Sequence, residues 1–152
     1  VQRDNRKSAY NERHDQLKRA EEILNVENLG SVKIDQLNKK KIDDLLIYKR
    51  ALHVVTENQR TKDAKNFMLK QDMKQFGHLM NLSHSSYSKD FEASTEEVDL
   101  LTKRSIESGA LGCRLTGGGF GGFTVSLIAK KDYEHWYNNM SKYYSKDKFF
   151  KL

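Results

Sequence analysis

The sequence predicts an α+β fold, with helices packed on one face of a small antiparallel sheet, and three observations carry that prediction. Apolar residues recur at helical spacing through most of the stretch from Ser8 to Ser108. Two short runs then alternate, Ala110 to Leu115 and Phe123 to Ala129, on either side of a glycine cluster. Beyond them Tyr133, Trp136, Tyr137, Met140 and Tyr144 stand at i, i+3, i+4, i+7 and i+11. That spacing is an amphipathic helix, and its aromatic stripe reads as core before it reads as a cofactor site.

Each element follows from local pattern. Tyr10, Leu17, Ala20 and Leu24 share a helical face from about Ser8, with Gly30 as the natural stop. Asp35 can cap a short helix carrying Leu37, Ile42 and Leu45. A longer helix holds Tyr48, Ala51, Leu52 and Val55 toward Arg60, and Ala64, Phe67 and Met68 add another turn or two. Asp72 precedes Phe76, Leu79, Met80 and Ser83, again at helical spacing. Ser94 and Glu97 have the spacing of a capping box before Val98 and Leu101, and that helix ends near Ser108-Gly109. In the strand runs, Leu111, Cys113 and Leu115 oppose Gly112 and Arg114, and Phe123, Val125, Leu127 and Ala129 oppose Thr124, Ser126 and Ile128. Phe149-Phe150 begins a last strand.

Composition bounds the rest. At 152 residues the chain reads as one domain over 1–152, long enough to bury about two thirds of its unfolded surface. No apolar run approaches the roughly 20 residues that span a bilayer, so a membrane partner is not expected. The first residue is Val1, which predicts a start inside a longer gene product or a processed one. Cys113 is the only cysteine, so no internal disulfide forms and a reducing, cytoplasmic location is expected. The net charge of +6 is spread among acidic residues. Its one run, Lys39-Lys40-Lys41, is followed by Asp43-Asp44, a solvated face and not a nucleic-acid stripe.

The residues show little catalytic chemistry. His14, His53, His78, His84 and His135 are scattered, with no zinc spacing. No Gly-x-Ser-x-Gly elbow occurs. The one candidate ligand loop is the cluster Gly117-Gly118-Gly119-Phe120-Gly121-Gly122, which holds five of the chain's nine glycines. Such a cluster loses much backbone entropy on folding, so it serves a geometry: positive φ angles, or N–H groups closing on an anion. It lies between strands and precedes no helix, and no lysine follows. That excludes a P-loop, and its GxGxxG match is weak without a following helix.

Arg114-Leu115-Thr116 followed by the glycine cluster resembles the third signature motif of the GHMP kinases. Further stretches are similar to galactokinases in particular. Ser8-Ala9-Tyr10-Asn11-Glu12-Arg13 resembles the segment that opens their C-terminal half. Arg50 to Thr61 is similar to their R-x-x-H-x-x-x-E-x-x-R segment. Phe76-Gly77, Leu79-Met80-Asn81, Ser83-His84 and Ser86, then Asp90-Phe91-Glu92 with Ser94, follow in the family's order. The resemblance covers about residues 1–130, and departs at Phe123, where galactokinases commonly have cysteine or another small residue.

The resemblance implies a GHMP kinase C-terminal domain, ferredoxin-like in fold, from an enzyme that phosphorylates galactose at the expense of ATP with Mg²⁺. In that family the phosphate loop, catalytic aspartate and assisting arginine lie in the N-terminal half, and nothing here matches them. The chain is therefore expected to lack catalytic and metal-binding residues, to bind no cofactor tightly by itself, and to be inactive without its N-terminal kinase domain. By the same resemblance Tyr10 touches the sugar, and Arg114, Thr116, Gly117, Gly118, Gly119, Phe120, Gly121 and Gly122 shape the wall near nucleotide and substrate. His53, Glu57 and Arg60, at i, i+4 and i+7, read as a polar stripe joining helices. A non-catalytic sugar sensor and an N-acetylgalactosamine kinase are the alternatives.

Overall fold

A computed structural model describes residues 2–37 and 41–151, with side chains from Ser8 onward. Five helices and one hairpin follow in order: α1 (Gln2–Leu24), α2 (Leu45–Leu69), α3 (Met73–Lys89), α4 (Glu96–Glu107), β1 (Gly112–Leu115), β2 (Thr124–Leu127) and α5 (Tyr133–Met140). The fold is mostly helical with a small two-stranded antiparallel sheet.

Several helix ends rest on residues other than those the sequence suggests. α1 stops at Asn25, whose φ of 53° lets Val26 N–H reach back to the Glu21 carbonyl, ahead of Gly30. Gln71 ends α2 in the same left-handed way, while Gly109 ends α4 as expected. The helix expected from Asp35 does not form as read. Ile34–Gln36 is a single 3₁₀ turn, and the next helix begins at Leu45 with Asp44 accepting from the N–H groups of Leu46 and Ile47. Lys39 and Lys40 lie outside the described residues. α2 runs unbroken through Ala64, Phe67 and Met68. Thr95, not Ser94, caps α4 by accepting from Val98 N–H, because the Ser94 hydroxyl is taken by Asp99. Phe149 and Phe150 form no strand. A 3₁₀ turn at Lys146–Lys148 precedes them, and the Phe149 ring packs edge-on to Trp136.

Two apolar clusters hold the chain. Ala20 of α1 meets Ile47, Ala51 and Val55 of α2, roofed by Leu29, Val32, Leu37 and Ile42 of the connecting segment. The aromatic stripe forms the second with Ala110 and Leu101. Trp136 and Met140 are buried there, and the indole N–H finds the Ser105 hydroxyl at 2.9 Å. Burying one such side chain contributes roughly 1.5–3 kcal/mol.

The hairpin register is Gly112↔Leu127, Cys113↔Ser126, Arg114↔Val125 and Leu115↔Thr124. Its Cys113–Ser126 face packs on α4, where Ser126 meets Ser105 at 2.8 Å. The apolar side of β2 therefore points away from that core, and Phe123 and Val125 are exposed. Alternation located the strand, but the polar side of β2 is the packed one because small hydroxyls match α4's serine.

α3 lies along the outer edge of β1. Gly77 and Gly112 bring the two backbones together: a Cβ on Gly77 would fall 2.5 Å from the Leu111 carbonyl oxygen, and one on Gly112 would strike Gly77 itself. Gly77→Ala should destabilise the chain by about 1–3 kcal/mol, as overpacking does, even though alanine favours a helix by about 1 kcal/mol. A urea midpoint equal to the parent's would show that the crossing yields freely.

Candidate functional site

The glycine cluster is a six-residue hairpin tip, closed by Thr116 N–H donating to the Phe123 carbonyl at 2.9 Å. Gly117, Gly119, Gly121 and Gly122 have φ between 86° and 109°, and Phe120 has φ 58°. Positive φ is the geometry the glycines serve. For Phe120 this backbone costs roughly 1–2 kcal/mol, offset by its N–H bond to the Ala93 carbonyl at 2.6 Å and by Arg13, whose guanidinium carbon sits 5.8 Å from the ring centre. Gly119 presses on the same segment, leaving a Cβ only 2.5 Å from the Ala93 oxygen. Among the described residues, the N–H groups of Gly117, Gly118, Gly119, Gly121 and Gly122 donate to no group of the chain.

Tyr10 of α1 comes to this loop. Its ring lies 3.8 Å from where a Gly118 Cβ would stand, and the side chain is exposed. Tyr87 of α3 approaches from beneath, its hydroxyl donating to the Gly117 carbonyl at 3.4 Å. Burial raises the Tyr87 pKa above the usual phenol range. The result is a surface with an aromatic face, two phenol hydroxyls and unpaired amide donors, equipped to hold a polyhydroxylated or anionic ligand. In the loop, Thr116, Gly117, Gly118 and Gly122 are exposed.

Arg114 is not on that surface. It points from the open face of the sheet into a cleft of about 340 Å³ between α2, α3 and β2, floored by Phe76, Leu79, Val125 and Leu127. There its Nη1 stands 3.7 Å from Glu57 Oε1. Glu57 also accepts from Ser83 at 2.8 Å and from Arg60 at 3.3 Å. The polar stripe of α2 thus faces α3, where His53 meets Ser86 and Glu57 meets Ser83.

Sequence reading missed a histidine–serine–aspartate chain. His53 Nδ1 lies 3.0 Å from Ser86 Oγ, which donates to Asp90 Oδ2 at 2.8 Å. Since the serine donates to the carboxylate, the neutral imidazole carries its proton on Nδ1. The serine sits between base and acid and is buried, so this is no nucleophile triad. Its signal was the i, i+4 pair Ser86 and Asp90, which only the fold connects to His53. Stacked on Phe91 at 4.7 Å, His53 has its pKa lowered from 6.5 to about 4, by burial first, against the opposing pull of Glu57. Among the described residues no group of three or more His, Cys, Asp or Glu side chains could hold a metal ion.

The model of GHMP kinases C terminal matches residues 64–146, more than half of the chain. The chain belongs to the GHMP kinase C-terminal family. It is 39% identical over 145 residues to the galactokinase of Fusobacterium nucleatum, covering 90% of this chain and 37% of that protein. It is 41% identical over 133 residues to that of Clostridium acetobutylicum, covering 83% and 34%. The crystal structure of Lactococcus lactis galactokinase complexed with galactose superposes with a TM-score of 0.84 at 32% identity, over 89% of this chain and 37% of that one. The chain spans little more than a third of the length of these relatives.

His53 sets a pH dependence. Its folded pKa lies below the unfolded value, so the unfolded chain binds the extra proton and stability falls as pH drops from about 6.5 toward 4. The full difference corresponds to about 3 kcal/mol at roughly 1.4 kcal/mol per pH unit. Unfolding measured at pH 7 and pH 4.5 for parent and His53→Asn should show the parent losing more stability than the variant. Equal losses would place the acid sensitivity elsewhere.

Proposed function

We propose that this chain, as one unit over residues 1–152, is the C-terminal domain of a galactose 1-kinase. In the intact enzyme the γ-phosphoryl group of ATP passes to the anomeric hydroxyl of galactose, giving galactose 1-phosphate and ADP. The observation that carries this reading is Tyr10 resting on the glycine loop, the two elements that the galactokinase resemblance assigns to sugar and substrate wall. The names of the relatives support it.

This chain's part is binding and shaping. The Tyr10 hydroxyl engages a sugar hydroxyl. Thr116 and the amides of Gly117 to Gly122 line the cleft between sugar and nucleotide, where a Cβ would hold the backbone away from the substrate. Phe120 anchors the loop and leaves its donors facing outward. Arg114 serves the neighbouring cleft and its Glu57 partner. By the galactokinase resemblance the Mg²⁺ ion, the phosphate loop and the proton acceptor belong to the N-terminal kinase domain, the partner this domain requires. Alone, the chain is inactive. A cytoplasmic setting suits Cys113, which is buried and whose thiol pKa burial raises above its ordinary value. Neither nucleic acid nor a membrane is a partner on this reading.

Galactose-dependent ADP release, with ATP and Mg²⁺, separates the possibilities. Turnover by the intact protein but not by residues 1–152 is expected. Galactose binding without ADP release would make the protein a sensor, and turnover by the 152 residues alone would overturn the division of labour. In the intact protein Tyr10→Phe should raise KM for galactose about five- to tenfold, the loss of one hydrogen bond of about 1–1.5 kcal/mol, with kcat changed less. An unchanged KM would remove Tyr10 from the sugar site.

A further inference from the structure

We infer that Arg50, buried in α2 and remote from the glycine loop, is a positioning residue that fixes the loop's height above the fold. The inference deepens the kinase reading, on which its kinetic test rests. The path runs through four successive carbonyls. Asp90 O accepts from Arg50 Nη1 at 2.5 Å, Phe91 O from Arg13 Nε at 2.7 Å, and Glu92 O from Arg13 Nη2 at 3.1 Å. The fourth, Ala93 O, accepts from Phe120 N–H at 2.6 Å. Segment 90–93 is thus a rail whose carbonyls accept from two arginines at 90–92 and from the loop at 93.

That rail does not hold itself. It begins where α3 ends, and Glu92 has φ 51°, a backbone that a residue with a Cβ adopts at a cost. Its N–H groups at Asp90 and Phe91 donate to the Ser86 carbonyl and that of Ala93 to the Tyr87 carbonyl, while its own carbonyls accept from Arg50, Arg13 and Phe120. Cations there complement the C-terminal end of the helix.

Arg50 supplies more than one bond. It is 1% exposed, and all three of its nitrogens are used: Nη1 on Asp90 O, Nη2 on Glu92 Oε2 at 2.8 Å, and Nε on Gln16 Oε1 at 2.9 Å. One rigid fork therefore ties α1, α2 and both ends of the turn, and its hydrogen bond holds the Glu92 carboxyl below the usual carboxylate range. A lysine keeps the charge and loses the fork. Apart from Ala93 O, the loop rests on its own closure, the long Tyr87 bond to Gly117 O, the Gly119–Ala93 contact, the Arg13 guanidinium over the Phe120 ring and the Tyr10 ring beside Gly118. If Asp90 to Ala93 shift, the amide row shifts with them.

The test uses the intact protein that carries this chain, with Arg50→Lys, Gly119→Ala and the double variant. Hydrogen exchange of the two bonded loop amides, Thr116 and Phe120, should quicken about tenfold in Arg50→Lys while α1 and α5 keep their protection. In the same protein kcat/KM for galactose phosphorylation should fall about tenfold or more, mainly in kcat, as misplacement of a substrate wall does. The double variant should lose less than the two single losses combined, because both act on one contact. Should Arg50→Lys not fold, Glu92→Gln, at a half-exposed side chain, gives the same loop-specific quickening to a smaller extent. Unchanged loop exchange, or a rise shared equally by every helix, would overturn the inference. A parent that releases no ADP would sink the kinase reading alone, and the exchange measurement would still decide the role of Arg50.

Discussion

The contact on which the rest of the structure depends is the approach of α3 to β1 at Gly77 and Gly112. Two backbones meet there without side chains between them. Because they are so close, Asn81 can act as a strand would, accepting from Cys113 N–H at 2.9 Å and donating to the Leu111 carbonyl at 3.3 Å, while His84 accepts from Leu115 N–H at 3.4 Å. A helix with two polar side chains thereby satisfies a strand edge that would otherwise stand open. The same helix carries Tyr87 and ends in the turn that supports the loop, so the hairpin is gripped along its shaft and at its tip by one rigid element.

Between α2 and α3 the interior is polar. Arg50, His53 and Glu57 each reach a partner on or just beyond α3. Apolar residues there would pack in several registers with similar energy. A set of directional bonds between buried groups permits one, since sliding either helix would strand charges away from water. The aliphatic cluster around Ala51 joins α2 to α1 and the connecting segment, and the polar seam fixes where α3 lies.

Much of this was legible in the sequence. Periodicity located α2, α3, α4 and α5, alternation located both strands, and a motif resemblance singled out Tyr10 and the glycine cluster. What escaped did so for physical reasons. The stop at Asn25 and the cap at Thr95 are choices among adjacent polar residues, decided by which side chain is already engaged elsewhere. The buried face of β2 could not be told from alternation, because hydroxyls on that face pair with a serine on α4. Ala93 holds the loop through its carbonyl, a group every residue has, so its identity announces nothing. Arg50 was readable in part: it sits at i+3 from Ile47 and beside Ala51, a charge on an apolar face.

The open side of β2 has a consequence for how this chain behaves in solution. Phe123 is 71% exposed and lies 6.4 Å, ring centre to ring centre, from Phe150, itself 74% exposed, beside a strand whose outer edge pairs with nothing among the described residues. An unpaired edge flanked by aromatics is a template for another strand. For copies of this chain by themselves that makes crowding a hazard, because edge-to-edge encounters grow with the square of concentration while refolding does not. The same few residues that give the hairpin its reach would then govern how much of the material stays monomeric.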